Sequence, residues 1–513
     1  MTDTPPRVPG PGGDSPATRA NAFGLGLGAL AFVAIEISPA PEGLSPAGWH
    51  CAAIAALIAV WWVTEAIPLS ATALLPLLLF PVLGVASIRE AAVPYANPVI
   101  FLMLGGFILA LGMQRWNLHR RIALFLVSQA GTRPANVIGG FMLASALISM
   151  WVFNTTTTVM MLPIALSVIE FVQRNTESDP SHARAGRQFA TALMIAIAYA
   201  ATIGGMGTLI GTAPNAILAG FMSETYGVTV SFLDWMLVGV PMIALMLPLT
   251  WLVLTRIAFP VRLPEVAGQA QLIRDELRAL GPMSRGERTV AAVVGVTAFL
   301  WVFRPLIEDA VPGISLNDTS IAFFGALALF VIPVDARKGI FALSGEWARN
   351  LPWGVVILFG GGLSLADGIK SSGLADWIGA GTGGLATLPT VAVVLAVVVL
   401  IVMLTELTSN TATTATFLPI VAAIAIGIGE NPFLLVFPTA LAASCAFMMP
   451  VATPPNAVVF ASGHVTISQM IRSGIMVNVV GVVVTMLIAY VAVRAVFGIE
   501  LGVLPDWAAN AGK

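Results

Sequence analysis

One polar phrase is written twice in this chain, NTTTTVMMLPI from Asn154 to Ile164 and NTATTATFLPI from Asn410 to Ile420. Both copies set an Asn, a run of hydroxyls and then Leu-Pro-Ile inside long apolar stretches. Polar side chains there cost free energy unless they meet partners. The duplication is wider than the phrase. The same offset of 256 residues lays VIFLMLGGFILALGM (Val99 to Met113) on VVILFGGGLSLADGI (Val355 to Ile369), so whole halves correspond. Further on, GTAPN (Gly211 to Asn215) answers ATPPN (Ala452 to Asn456) at an offset of 241. The shorter offset places the first half's extra residues in the loop from Arg174 to Arg187.

Composition says what surrounds these polar islands. Hydrophobic residues make up 58% of the 513 and charged ones 10%, far from the roughly one quarter charged of soluble proteins. Mean hydropathy is +0.92. The chain therefore reads as an all-α polytopic membrane protein. The net charge of −2 describes no ligand field, because the few charges are sorted by membrane side, and no nucleic-acid partner is expected. Cys51 and Cys445 lie in apolar segments and read as packing residues. Residues 1–21 are rich in Pro, Gly and Thr, without an apolar signal segment, and read as a disordered cytoplasmic tail.

Most apolar segments match the roughly 20 residues that cross a bilayer. Two do not. The stretches at about 136–173 and 388–430 are too long for one crossing, and each carries its Asn-Thr cluster near the middle. A re-entrant hairpin puts that cluster at mid-depth with its irregular backbone lining a protected cavity. The resulting expectation is eleven transmembrane helices plus two re-entrant hairpins in an inverted repeat. The first repeat is 22–256, a cytoplasmic linker helix covers 257–287, the second repeat is 288–499 and a C-terminal tail follows at 500–513. Charge sorting supports this topology: 19 of the 24 Lys and Arg residues fall on the side of the N-terminus, leaving Arg89, Arg304, Lys370, Arg494 and Lys513 opposite. The N-terminus is then cytoplasmic and the C-terminus outside the plasma membrane. The first hairpin enters from the cytoplasm, the second from outside.

Each tip breaks a helix, exposing carbonyl oxygens at the end of one arm and free N–H groups at the start of the next. Carbonyls suit a hard cation such as sodium, and N–H groups at a positive helix end suit an anion. Asn154, Thr155, Ser409, Asn410 and Thr411 carry amides and hydroxyls that serve both. No Arg or Lys lies near either tip in sequence, so bound cations and helix ends would balance a substrate's negative charge. Cation-coupled anion transport follows from that chemistry.

With these residues in view, the chain resembles the divalent-anion:sodium symporters, which carry dicarboxylates, citrate or sulfate. The resemblance runs from WWVTEAIPLSATALLPLLLFP (Trp61 to Pro81) to TPPNAVVFASG (Thr453 to Gly463). Its signature is a Ser-Asn-Thr triplet at each tip, followed by a Pro-Asn element. The second triplet is intact as Ser409-Asn410-Thr411, whereas the first reads Phe153-Asn154-Thr155, without the serine. The resemblance implies one sodium among Ser149, Asn154 and Gly211, with the Phe153 carbonyl, and another among Thr405, Thr408, Asn410 and Ala452. It implies substrate carboxylates at Asn154, Thr155, Ser409, Asn410 and Thr411, with Thr212, Thr453 and Pro454 shaping selectivity. It also implies sodium-coupled uptake of C4-type dicarboxylates (succinate, malate, fumarate), a homodimer, an elevator-type movement and no organic cofactor.

Alternatives within transport are a sulfate or citrate carrier, or an exchanger on the same fold; an anion channel is a rival of another class. No Walker motif, Ser-His pairing or HExxH occurs, so the chain is not expected to be an enzyme. Gly204-Gly205-Met206-Gly207 follows no strand and reads as close helix packing. Glu65 and Asp367 read as structural, while Glu406, four residues before Asn410, is balanced between a structural role and a proton relay. Residues 263–281 alternate charged and apolar positions as an interfacial or cytoplasmic helix does.

Overall fold

The computed structural model describes residues 19–176, 180–261, 263, 269–311 and 313–509. Residues 1–18 of the expected tail lie outside these, and the described chain starts in helix.

The order of helices repeats. The first half runs through α1 (Arg19–Ile37), α2 (Pro46–Thr64), the short α3 (Leu69–Thr72), α4 (Leu75–Val82) and α5 (Ile88–Ala92), then α6 (Pro98–Arg115) and α7 (Leu118–Ser128). There follow α8 (Pro134–Ser149), α9 (Asn154–Thr176), α10 (Pro180–Gly205), α11 (Ala213–Tyr226) and α12 (Phe232–Leu252). After α13 (Gln269–Ala279), the second half comprises α14 (Arg285–Ala310), α15 (Asp318–Val331), α16 (Trp353–Ser371) and α17 (Leu374–Gly381). It continues with α18 (Thr390–Thr405), α19 (Asn410–Gly427), α20 (Phe433–Ala443), α21 (Pro454–Ala461) and α22 (Ile467–Ile488). Among the described residues nine helices are long and apolar enough to cross a membrane.

Local chemistry sets the helix starts. Ser231 with Asp234, Ser284 with Glu287 and Thr466 with Gln469 form capping boxes that open α12, α14 and α22. The linker is tied down at the same level. Arg121 on α7 bonds Glu287 at 2.7 Å and donates to the carbonyls of Gly281 and Leu280 beyond α13. The only strands among the described residues, Pro333–Asp335 and Ile340–Phe341, pair antiparallel in the connection between α15 and α16.

Both long interrupted segments are helix–break–helix. α8 and α18 have 16 residues each, about 24 Å at 1.5 Å per residue and short of a bilayer core of about 30 Å. Each is followed by a four-residue break and a helix that begins on the repeated Asn. In α9 and α19 the Pro of the repeated Leu-Pro-Ile, Pro163 and Pro419, sits inside the helix, where it removes one backbone bond and favours a kink.

The most buried elements are α10 and α20. Residues from Phe189 to Ile203 along α10, and all of α20, are shut from solvent. Each is half of a broken helix and each is clasped by the hairpin of its own half: α8 and α9 pack on α10, and α18 and α19 on α20. The hairpins also cross over. α9 packs on α21, and α19 packs on α11, so the second arm of each hairpin rests on the short helix beyond the break in the other half. Residues 500–509 fold back onto both halves: Trp507 meets Phe433 at 5.5 Å and Tyr226 at 5.4 Å between ring centroids, and Gly502 N–H donates to Glu430 at 2.9 Å.

Candidate functional site

The two hairpin turns carry the same bonds at equivalent places. At the first, Ser149 Oγ donates to Asn154 Oδ1 at 2.7 Å, and Thr158 Oγ1 donates back to the Asn154 carbonyl at 2.9 Å. At the second, Thr405 Oγ1 donates to Asn410 Oδ1 at 2.7 Å, and Thr414 Oγ1 to the Asn410 carbonyl at 2.8 Å. A hydroxyl at the end of one arm thus fixes the amide that starts the next, turning each Asn side chain into an oriented group.

The broken helices match as well. Between α10 and α11, Asn215 Nδ2 donates to the carbonyls of Gly205 at 2.9 Å and Thr208 at 2.7 Å. Between α20 and α21, Asn456 Nδ2 donates to those of Ala446 at 3.2 Å and Met449 at 3.1 Å. With the offset of 241, these are the same two positions. Each Asn is fully buried, and its amide braces carbonyls that the helix has released.

Turns and breaks meet. A Cβ on Gly205 would lie 2.4 Å from Asn154 Oδ1, and one on Gly211 would lie 2.4 Å from the Gly205 carbonyl oxygen. Ser149, Asn154, Gly205 and Gly211 therefore form one tight cluster, where only hydrogen fits on both glycines. The second cluster links Thr405 to Asn410, and to the Ala443 carbonyl at 2.6 Å. Thr408 Oγ1 meets Thr413 Oγ1 at 2.5 Å, and Ala452 N–H donates to the Met449 carbonyl at 3.2 Å. Of the side-chain oxygens named for the second sodium, those of Thr405 and Asn410 are bonded together beside the Ala443 carbonyl, while that of Thr408 is engaged by Thr413 and the Leu404 carbonyl. Such a neutral, oxygen-rich set suits a hard monovalent cation.

The anion side is legible in the helix starts. Ser409 occupies the N-cap of α19 with extended backbone, and its hydroxyl makes no capping bond; Thr212 at the N-cap of α11 is the same. Thr453, by contrast, caps α21 by accepting from Asn456 N–H at 3.3 Å. Asn154, Thr155, Ser409, Asn410 and Thr411 are half-buried, whereas Thr212 and Thr453 are buried and Pro454 is exposed. The Phe153 carbonyl accepts from Thr157 N–H at 2.9 Å, and the Phe153 ring lies 4.7 Å from that of Phe107 on α6.

The turns differ in what covers them. Trp151 stacks on Phe232 at 6.0 Å, and Phe232 on Trp301 at 4.3 Å. Asp318 anchors that stack, accepting from Phe232 N–H at 2.7 Å and from Arg304 at 3.1 Å while its carbonyl accepts from Trp301 Nε1. Leu407, the counterpart of Trp151, is 72% exposed. Likewise Ile210 is 5% exposed, but its counterpart Val451 is 79% exposed. The first turn is docked and the second is uncovered.

Glu406 is buried and bonded by four groups, the N–H groups of Phe447, Met448 and Met449 and the amide of Asn478. Glu65 ends α2 in the left-handed conformation at φ 47°. Asp367 is half-buried on α16, beside Lys370, whose ammonium bonds the Thr225 carbonyl. The bracing amides of Asn215 and Asn456 and the Trp151 stack were not singled out by sequence reasoning. The amides were visible as the final letter of the repeated Pro-Asn element; nothing in the sequence pointed to the stack.

Solved structures share this architecture. The Alcanivorax borkumensis YdaH transporter aligns with a TM-score of 0.54 at 15% identity, over 80% of this chain and 89% of its own. Neisseria gonorrhoeae MtrF aligns with 0.58 at 14%, over 92% and 96%. In sequence, the sodium-dependent dicarboxylate transporter SdcS of Staphylococcus saprophyticus is 42% identical over 480 residues, 93% of this chain and 92% of that protein. SdcS of Staphylococcus aureus strain USA300 is 40% identical over 488 residues, 95% and 94%. The pattern of the sodium:sulfate symporter transmembrane region matches residues 21–499, and the duplicated turns fall inside that match, so the chain belongs to the sodium:sulfate symporter family.

Proposed function

We propose that this protein is a secondary transporter that couples sodium to the uptake of C4-type dicarboxylates such as succinate, malate and fumarate. The observation that carries the reading is the pair of oriented Asn side chains, Asn154 and Asn410, each fixed by a hydroxyl at 2.7 Å beside released helix carbonyls. The names of the SdcS relatives, similar over nearly their full length, support sodium and a dicarboxylate in particular. Sodium sits with Ser149, Asn154, Gly211 and the Phe153 carbonyl, and with Thr405, Thr408, Asn410 and Ala452. The substrate's carboxylates meet Asn154, Thr155, Ser409, Asn410 and Thr411, bordered by Thr212, Thr453 and Pro454. The helix starts and the co-bound cations supply the compensating charge.

The movement follows from the unequal turns. With eleven spans, the N-terminus cytoplasmic and the C-terminus outside, the uncovered Leu407 belongs to the hairpin that enters from outside and the uncovered Val451 to the broken helix of the same half. The docked Trp151 belongs to the hairpin that enters from the cytoplasm. This arrangement is the outward-open state of an elevator-type carrier, and it assembles as a homodimer in the cell membrane. Alternating access then exchanges which turn is covered.

The test is uptake of labelled succinate into proteoliposomes with and without an inward sodium gradient, with citrate and sulfate as competitors. Sodium-driven accumulation that unlabelled succinate displaces is the expected result. Uptake indifferent to sodium would sink the symport, and displacement by sulfate alone would reassign the substrate.

A further inference from the structure

The turn of the second half has a carboxylate beside its Thr405–Asn410 pair where the first half has none. Glu406 directly follows Thr405, and its counterpart in the first half is Met150. The two positions perform the same joining task with opposite chemistry. In the first half, Thr208 on the broken helix donates its hydroxyl to the Met150 carbonyl at 2.5 Å. In the second, the turn supplies the side chain and the broken helix supplies the backbone: Glu406 Oε1 accepts from Phe447 N–H at 2.7 Å and Met448 N–H at 2.9 Å, and Oε2 from Met448 at 2.9 Å and Met449 at 3.1 Å. Asn478 on α22 adds a fifth bond at 2.6 Å.

Every partner of that carboxylate is a donor, which is the surrounding an ionised group requires. Three consecutive N–H groups converging on one anion also fix the backbone that carries them. That backbone is the break from which the Ala446 and Met449 carbonyls emerge toward Asn456, and on which Ala452 turns back at 3.2 Å to Met449. Glu406 is 3% exposed, so the carboxylate meets these donors away from solvent.

We infer that Glu406 is the positioning residue of the second sodium site: it does not touch the ion, but holds Phe447–Met449 so that the released carbonyls face it, and its fixed negative charge favours the cation. The inference rests on the sodium-coupled reading above. It also makes the sites unequal in origin of affinity: oriented neutral oxygens alone at the first, and oxygens with a buried anion behind them at the second.

The experiment measures sodium activation of succinate uptake for wild type, Glu406→Gln and Glu406→Asp in proteoliposomes, together with the rise in melting temperature that sodium alone induces. A unit charge about 10 Å from a cation at an effective dielectric of about 20 changes affinity roughly tenfold. Glu406→Gln is therefore expected to raise half-saturating sodium at least about tenfold and to blunt the sodium-induced melting shift, with the substrate KM at saturating sodium within about twofold. Glu406→Asp keeps the charge on a shorter arm and should recover most of the sodium affinity. Should Glu406→Gln not fold, Asn478→Ser removes one donor and keeps the carboxylate, and a smaller shift in the same direction is expected. A folded Gln or Ser variant with the wild-type sodium curve overturns the inference, as does an Asp variant as impaired as Gln. Sodium-independent uptake by wild type would instead remove the transport reading on which it rests.

Discussion

A methyl group placed on Gly205 tests the first turn where it is tightest. The added Cβ would lie 2.4 Å from Asn154 Oδ1, 3.0 Å from Nδ2 and 3.1 Å from Cγ, so the amide must move. Moving it breaks the 2.7 Å bond from Ser149. Overpacking of this size costs about 1–3 kcal/mol, and the lost hydrogen bond about 1 kcal/mol. Together, about 2–4 kcal/mol is set against the arrangement that binds. At about 1.4 kcal/mol per factor of ten, half-saturating sodium for uptake should rise about 30- to 700-fold. Two neighbours give the comparison its meaning. Gly204→Ala would drive its methyl to 2.2 Å from the Ala146 carbonyl oxygen, a clash of backbone between α8 and α10 that no rotamer relieves, and folded protein should be lost. Ala446→Gly, at the position equivalent to Gly205, adds only backbone freedom and should cost about 1 kcal/mol or less. Half-saturating sodium in Gly205→Ala within about threefold of wild type would refute the placement of Asn154 as a ligand.

Three further outcomes are expected. Thr411→Ala removes a half-buried hydroxyl from the first turn of α19; a hydrogen bond to a charged carboxylate is worth about 1.5–3 kcal/mol, so the succinate KM should rise about 10- to 100-fold, and unchanged uptake would take Thr411 out of the site. Phe153→Ser gives up the ring contact with Phe107 at 4.7 Å, about 0.5–1.5 kcal/mol beyond the buried area, and opens room beside Asn154. The melting temperature should fall while citrate becomes a stronger competitor, and an unaltered order of competition among succinate, citrate and sulfate would show that Phe153 does not set selectivity. A membrane-impermeant thiol reagent added outside should label cysteine at Leu407 or Val451 and spare cysteine at Ile210; equal labelling would contradict the assignment of the open side.

The two helix–break–helix segments were legible because duplication makes a weak signal strong. Asn-Thr once in an apolar helix is ordinary, but the same letters 256 residues apart with Leu-Pro-Ile attached point to a shared geometry, and the arms Pro134–Ser149 and Thr390–Thr405 end where those letters begin. The residues that bond within each turn, Ser149 with Asn154 and Thr405 with Asn410, enter the sequence reading as sodium ligands that the family resemblance implies, and their mutual bonds are visible only in the structure. What else escaped was long in sequence. Glu406 meets Phe447 to Met449, and Trp151 stacks on both Phe232 and Trp301, contacts decided by how helices pack and not by any local pattern. The end of the chain was similar: Trp507 looked like part of a tail until Phe433 and Tyr226 came beside it.

The crossing of the hairpin arms has a thermodynamic consequence. Because α9 rests on α21 and α19 on α11, the proposed seat of each cation is floored by a helix from the opposite half. An ion that quiets the first turn also quiets the floor of the second, so the second ion finds part of its ordering entropy already spent. By reciprocity the help runs equally both ways. Uptake should then rise with sodium more steeply than a single-site curve, with a Hill coefficient above one, and cutting either cross-contact should flatten the curve before it abolishes transport.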